Sequence, residues 1–472
     1  MKKVLLALLL LLPCLLNAKH VDKETATTVA QSFWMHKYKE CPTLQDISEE
    51  FGFKNIYLFV TGDRSGYIVI AADDCAVPVL GHSRNGFPTT QVAPSVLSWL
   101  RSYEIQIAAA KKQNIKVDES VVSEWEALTN GSITPEPKSI VVDPLMTSIW
   151  NQSDPFNLYC PGEGNNKTPT GCVATAIAQV MHYWKYPEHG TGYHEYNYAN
   201  NTDTNFNWQY GTLSADFENT YYDWDNMPDT LLPSSDSAQI KAVATLNYQC
   251  GVALDMLYAP GGSMAFVTIE DNIIFDTHYY PTHIAAEIII PQYFGYSQQT
   301  DGKVHRDYRE NMAWVNLLRN DLEKGFPIIF AGAEEEGPSA GHCFVIDGVD
   351  ARLFFHINFG WGGAYDGGFR VDAISPSRYD FNSRQQAIIG MCPPGIESVP
   401  TIARTDNARV WARNRTIVLS GSNLGKGDVY DLTGRPVASF DAQGETQHIV
   451  PVPHSGLYLV RHNGHISKVF VH

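Results

Sequence analysis

Three textures of apolar and polar positions follow one another along the chain. Between residues 19 and about 138, apolar positions recur at helical spacing over residues 25–39 and 96–111. Between these stretches, residues 56–61 and 66–72 read as strands, with Tyr67, Val69 and Ala71 alternating against Ile68 and Ile70. The pattern predicts a small α/β module. Residues 129–138 (TNGSITPEPK) are polar, carry two prolines and a glycine, and read as a linker. Residues 139–395 are denser in aromatics, glycine and asparagine. After Pro393, Pro394 and Gly395 the texture changes again. Short apolar runs at 416–419, 427–431, 456–461 and 467–471 are separated by turn residues, which predicts a small all-β sandwich. No fixed-period repeat is present.

Within the middle region, residues 168–186 (TPTGCVATAIAQVMHYWKY) predict a helix. Pro169, Thr170 and Gly171 form its start signal, and Pro187 stops it. Val173, Ile177, Val180 and Trp184 share one face, and Ala174, Ala178 and Met181 another, so the helix should be largely buried. Cys172 falls in its first turn, where unpaired N–H groups and the helix dipole favour a thiolate, the species that attacks a carbonyl. The helix by itself fits an inert buried cysteine equally well.

Residues 341–350 (GHCFVIDGVD) and 353–363 (LFFHINFGWGG) are alternating segments joined by a polar turn, which predicts a β-hairpin. With the turn centred on Asp350, Gly348 faces Arg352, Phe344 faces His356 and His342 faces Asn358. A histidine opposite an asparagine can donate one ring N–H to the amide oxygen and keep its other nitrogen for a thiol proton. That is the base-plus-orienter arrangement of nucleophilic catalysis. In another register, a backbone carbonyl near Phe359 would have to orient the ring. Gln152, in TSIWNQSDPFN, could offer an amide N–H to an oxyanion beside the Cys172 backbone N–H. Trp361 could screen the His–Asn contact from water.

Bulk properties narrow the field. A length of 472 residues suggests about three domains, and 44% hydrophobic with 18% charged residues describes a globular protein. The 34 basic and 51 acidic residues leave a net charge of -17, which argues against nucleic acid as a partner. Lys2, Lys3, an apolar run over residues 4–16 and Ala18 read as an export signal over residues 1–18, too short to span a bilayer. The chain is therefore expected to be secreted or held at the cell surface. With Cys14 in the signal, seven cysteines are left without a C-x-x-C pair, and their odd number leaves at least one free thiol. Cys172, His182, His342, Cys343 and His356 match no ligand spacing, so no metal and no cofactor is expected.

Taken together, GCVATAIAQVMHYW, GHCFVIDGVD and FFHINFGWGG closely resemble the streptopain family of papain-like cysteine proteases, over about residues 19–395. GYIVIAADDCAVPVLGHS, residues 66–83, resembles that family's propeptide. The resemblance implies an α+β fold: a papain-like catalytic domain over residues 139–395, preceded by an inhibitory α/β propeptide over 19–138. It also implies a secreted endopeptidase made as a zymogen, and a role in virulence, with protein or peptide substrates and its own propeptide as inhibitor. The family's nucleophile falls on Cys172, its general base on His342 and its oxyanion glutamine on Gln152. Its orienting stretch falls on Asn358, Phe359, Gly360 and Trp361, where Phe359 replaces a frequent tryptophan. Substrate contacts fall on Ser263, within Gly261–Gly262–Ser263, and on Gly341. The β-sandwich over residues 396–472 resembles the sorting domains of type IX secretion, through GDVYDLTGRPVASF, GLYLVRH and SKVFVH, which implies the export machinery as a partner. Two other readings keep the same residues: an idle surface or inhibitor protein, and a Cys–His acyltransferase. The intact set Cys172, His342, Asn358 and Gln152 argues against the first. The order Gln, Cys, His, Asn and the propeptide-like module argue against the second.

Overall fold

The computed structural model describes residues 19–84, 86, 93–113, 115, 117–133, 141–197, 210–269, 284–305, 311–332, 342–373 and 385–396. It also describes residues 409–413, 416–420, 424–431, 435–443, 445, 447–454, 456–462 and 465–471. The expected export signal, residues 134–138 of the expected linker and Gly341 lie outside the described residues.

Helix α1 (Lys23–Tyr38) begins where Asp22 accepts a bond from Thr25 N–H at 2.8 Å, a side-chain cap for one of its orphan donors. Strands β1 (Leu44–Asp46), β2 (Ile56–Thr61), β3 (Tyr67–Ala71) and β4 (Val79–Ser83) follow, then α2 (Pro94–Gln113) and α3 (Glu119–Thr129). The middle region opens on α4 (Cys172–Trp184), then the hairpin β5 (Tyr193–Asn197) and β6 (Thr212–Asp216), then α5 (Ser237–Ala253). Next come α6 (Ala286–Phe294), β7 (Asp301–Val304), α7 (Asn311–Glu323) and β8 (Ile328–Gly332). Strands β9 (His342–Val349), β10 (Phe355–Asn358), β11 (Gly367–Phe369) and β12 (Gln386–Ile389) complete it.

The N-terminal strands do not form a sheet of their own. One ten-stranded sheet runs β1-β2-β3-β4-β11-β10-β9-β8-β12-β7, and β4 meets β11 through the pairs Gly368–His82 and Phe369–Gly81. Both faces of its middle are covered, as period-2 alternation requires. Phe330, Phe344 and Ile346 face a core shared with Trp34, Ile68, Trp99 and Tyr103 of the N-terminal region. Ile329, Cys343 and Val345 face a second core built on Val173, Ile177, Val180 and Leu246 of helices α4 and α5.

The hairpin differs in register from the tight turn expected above. Asp350 accepts from Arg352 N–H and Phe354 N–H at 2.9 and 3.0 Å, and Leu353 takes a left-handed φ of 63°. The connection is therefore longer, because the Asp350 carboxylate organises a local turn in place of two ladder bonds. Gly348 pairs with His356, and the register then shifts between His356 and Ile357, so that Asn358 stands opposite Val345 instead of His342.

The last region holds β13 (Arg409–Arg413), β14 (Thr416–Ser420), β15 (Lys426–Asp431), β16 (Pro436–Asp441), β17 (Gln447–Pro451), β18 (Gly456–His462) and β19 (His465–Val471). They form a three-stranded sheet, β13-β14-β17, and a four-stranded sheet, β16-β15-β18-β19. Ile417, Leu419, Val429, Val460 and Val471 fill a separate core between them.

Candidate active site

Helix α4 starts at Cys172, and the residue before it carries φ +89°. Any Cβ on Gly171 would also lie 2.8 Å from Met256 Sδ and 3.3 Å from Ser263 Cβ, so only glycine fits the entry. The helix has no side-chain cap, which leaves its first N–H groups open beside the half-buried Cys172. Burial pushes the Cys172 thiol up, while the backbone N–H groups of Cys343 and Val173 draw it back. Cys172 packs against the core that holds Cys343, the residue that follows His342 in β9.

His342 is buried and holds Phe359 C=O through Nε2 at 3.0 Å. A carbonyl can only accept, so Nε2 carries the ring proton and Nδ1 presents its lone pair. Burial pushes this imidazole down to about 4, despite the Phe359 carbonyl. Burial thus favours the neutral form of both thiol and imidazole. The rings of Phe359 and Trp361 lie near-parallel to that of His342, with centroids 6.2 and 5.9 Å away. Phe359, which stands where the resemblance leads one to expect tryptophan, packs edge-on against Phe369 with centroids 5.6 Å apart. The exchange alters the packing of a side chain, and the contact with His342 is made by the backbone.

Among the described residues, Asn358 makes its hydrogen bonds elsewhere than on His342. Its Oδ1 accepts from Gly360 N–H at 3.0 Å and from Gln179 Nε2 at 3.2 Å, and its Nδ2 donates to Ser148 C=O at 2.7 Å. Gln152 is tied to the approach to the helix by Thr170 N–H donating to its carbonyl at 3.0 Å. Its side-chain Nε2 is buried without a hydrogen-bond partner among the described residues. A buried N–H donor left open is costly unless a ligand satisfies it. Ser263 is buried and donates to Pro169 C=O at 2.7 Å, so its hydroxyl is engaged on the backbone leading into Gly171. Four of the expected residues, Cys172, His342, Gln152 and Trp361, thus gather at the start of α4 and β9, with Asn358 one peptide away.

Sequence reasoning passed over two further residues. Gln179 is fully buried on α4 and accepts from Trp150 N–H at 3.0 Å and Ser148 Oγ at 3.1 Å. Its signal was a polar residue inside an otherwise apolar buried helix. Asp366 accepts from Phe359 N–H at 2.9 Å, and burial pushes its carboxyl up to about 7. Beside it, His356 Nδ1 meets Asp347 at 2.6 Å; burial opposes the His356 cation, but Asp347 outweighs it and raises the pKa. No group of three His, Cys, Asp or Glu side chains suited to a metal is found among the described residues.

The N-terminal region grips the segment that follows His342's partner. Tyr67 donates to Tyr365 C=O and Ser83 to Asp366 C=O, both at 2.6 Å, while Tyr365 N–H donates to Gly86 C=O at 2.9 Å.

Residues 150–369 match the peptidase C10 family, and residues 18–107 match the Spi protease inhibitor family. The thiol protease/hemagglutinin PrtT of Porphyromonas gingivalis is 28% identical over 432 residues, which cover 85% of this chain and 46% of that protein. The chain thus spans about half the length of that relative. Streptopain of Streptococcus pyogenes is 29% identical over 368 residues, covering 74% of this chain and 83% of its own length. A solved fragment of Prevotella intermedia prointerpain A superposes with a TM-score of 0.58 at 31% identity, covering 74% of this chain and 98% of the fragment. With this site, this fold and these relatives, the chain belongs to the peptidase C10 family of cysteine proteases, and its N-terminal region is the inhibitor-type module of a zymogen.

Proposed function

We propose that the protein hydrolyses peptide bonds of protein substrates through a thioester on Cys172, after release from an inactive precursor. The observation that carries this reading is the packing of Cys172, at the start of α4, against the core that holds Cys343, the residue after His342. In the reaction, Cys172 Sγ attacks the scissile carbonyl carbon and its proton passes to His342 Nδ1. The oxyanion takes hydrogen bonds from Gln152 Nε2 and the Cys172 backbone N–H. Collapse expels the amine, which leaves with the proton from the imidazolium. Water, deprotonated by the same nitrogen, then hydrolyses the thioester. Trp361 shields the imidazole, Ser263 shapes the wall beside Gly171, and Gly341 borders the substrate backbone. The division into propeptide (19–138), protease (139–395) and C-terminal module (396–472) belongs to the same reading.

Purified protein incubated with casein, with and without a thiol-directed epoxide, tests it directly. Expected are cleavage, its loss with the epoxide, and a label that maps to Cys172. Cleavage that persists in a Cys172→Ala variant defeats the assignment.

We also propose secretion or surface display. The basic-apolar start of the sequence supports it, as does the C-terminal module with its own core. Among the described residues no helix is long and apolar enough to cross a membrane. Removal of residues 396–472 should leave an active protease inside the cell envelope, and normal release of that truncation contradicts a sorting role.

A further inference from the structure

The chain segments that bear Cys172, Gln152 and Asn358 meet at one side-chain amide. Gln179 lies two turns along α4 from Cys172 and is fully buried. Its Oε1 accepts from Trp150 N–H, two residues before Gln152, and from Ser148 Oγ–H. A backbone N–H can only donate, so this contact fixes the amide's orientation and turns Nε2 toward Asn358 Oδ1 at 3.2 Å. Asn358 is fixed in the same way, because its Oδ1 accepts from Gly360 N–H at 3.0 Å and its Nδ2 donates to Ser148 C=O at 2.7 Å and to Gln179 Oε1 at 3.3 Å.

The Gly360 N–H belongs to the same peptide unit as the Phe359 carbonyl that holds His342 Nε2. A planar, rigid peptide unit therefore has one end on Asn358 and the other on the imidazole. Gly360 carries φ +70°, which lets the chain bring both ends into place. The path runs from Gln179 Nε2 to Asn358 Oδ1, across the Phe359–Gly360 peptide, to His342. Each step is a hydrogen bond whose direction the previous one sets, and chains of this kind polarise one another in a dry interior.

We propose that Gln179 is a positioning residue for the reaction. It fixes Asn358, and through the Phe359–Gly360 peptide the angle of His342, while pinning the segment that presents Gln152. This inference rests on the protease reading given above. It assigns Asn358 an indirect role, and it places the control of the general base on the helix that carries the nucleophile. Displacement of a reacting group by about 1 Å can cost about 10²-fold in rate, so the clamp acts on turnover more than on substrate binding.

Gln179→Glu and Gln179→Met are tested in the mature enzyme released from the full chain. Glutamate keeps an acceptor for Trp150 and Ser148 but sets an oxygen against Asn358 Oδ1, which turns the Asn358 amide away from Gly360. Methionine fills the space and removes every bond. Active sites are counted with the thiol-directed epoxide, and kcat and KM are measured with a peptide substrate. For Gln179→Glu, kcat per titrated site should fall about 10- to 100-fold, with KM within about twofold of wild type. Gln179→Met should lose as much turnover and also melt earlier. Turnover per titrated site within about twofold of wild type in Gln179→Glu overturns the proposal. So does a loss confined to the number of titratable sites, which marks Gln179 as a packing residue only. A wild-type protein that neither cleaves casein nor labels at Cys172 is a separate result: it defeats the protease reading, and the positioning role falls with it.

Discussion

The N-terminal and C-terminal modules flank the same catalytic unit and are joined to it in opposite ways. The N-terminal one is continuous with it: β4 pairs with β11, and one core runs from Phe33 and Ile68 to Phe344 and Phe369. The C-terminal one keeps its strands in two sheets of its own, around a core whose buried members among the described residues run from Ile417 to Val471. Removal of the first exposes a sheet edge and apolar surface, whereas removal of the second cuts through no sheet or core among the described residues. Inhibition fits the first arrangement, because Asp366 of the gripped segment also accepts from the N–H of Phe359, the residue whose carbonyl holds His342. A passenger fits the second.

The largest expected effect comes from Cys172→Ala, which should abolish proteolysis and hold the chain in its precursor form. In that frozen precursor the comparison can be broken directly, with cleavage sites for an external protease engineered into residues 134–138 and 397–408. After the first cut, the N-terminal module should still co-elute with the catalytic unit on gel filtration. After the second, the C-terminal module should elute apart. The reverse pattern would refute the contrast.

A smaller effect is expected at the interface itself. Tyr67→Phe removes the hydroxyl that donates to the buried Tyr365 carbonyl, and Ser83→Ala removes the one that donates to Asp366 C=O. An orphaned buried acceptor costs about 1–3 kcal/mol. Each variant of the isolated module should therefore inhibit the mature enzyme about tenfold more weakly, read as an inhibition constant. The matching loss should be absent for substitutions at exposed positions of the C-terminal module, such as Lys426→Ala.

Acid should separate the two modules more gently. His82 sits between Phe33 and Phe354, and burial pushes it down to about 3 from an ordinary 6.5. The undocked module binds the proton more readily, so this group's contribution to docking is complete above pH 6.5 and fades as pH falls toward 3. Asp366, pushed up to about 7, works in the opposite sense, because its protonated form is favoured in the buried site. The informative quantity is therefore the difference between wild type and His82→Gln. The variant should lose less inhibition between pH 6.5 and 4.5, and equal slopes would remove His82 from the account.

The smallest effect is the one expected to be nil. Deletion of residues 396–472 should change kcat/KM on a peptide by less than about twofold, since no catalytic or positioning group lies there. Calorimetry of the full precursor should show a transition that disappears with this deletion while the other is unmoved.

Much of the site was legible in the chain because it is written in local terms. A glycine ahead of a helix start placed Cys172 at the first position of α4, and alternation from His342 onward marked strand β9. The N-terminal strands at Ile56–Thr61 and Tyr67–Ala71 were legible for the same reason, since side-chain alternation is a property of neighbours. The strand content of the C-terminal region was legible too, from short runs between turn residues. The union of the N-terminal strands with the catalytic sheet was not, because Gly81 and Phe369 are almost three hundred positions apart.

By itself, then, the sequence determined which residues could do the chemistry and on which elements they stand: a thiol at a helix start, a histidine at a strand start, an asparagine ahead of a glycine-rich turn. The tertiary structure decided who touches whom. It lengthened the hairpin at Asp350, moved Asn358 opposite Val345, gave His342 to the Phe359 carbonyl, and made Gln179 the point where three segments meet. The reason is the difference in range between the two kinds of information. Periodicity and turn chemistry act within a few residues, whereas register and buried hydrogen bonds are settled only when packing forces every buried donor and acceptor to find a partner across the fold.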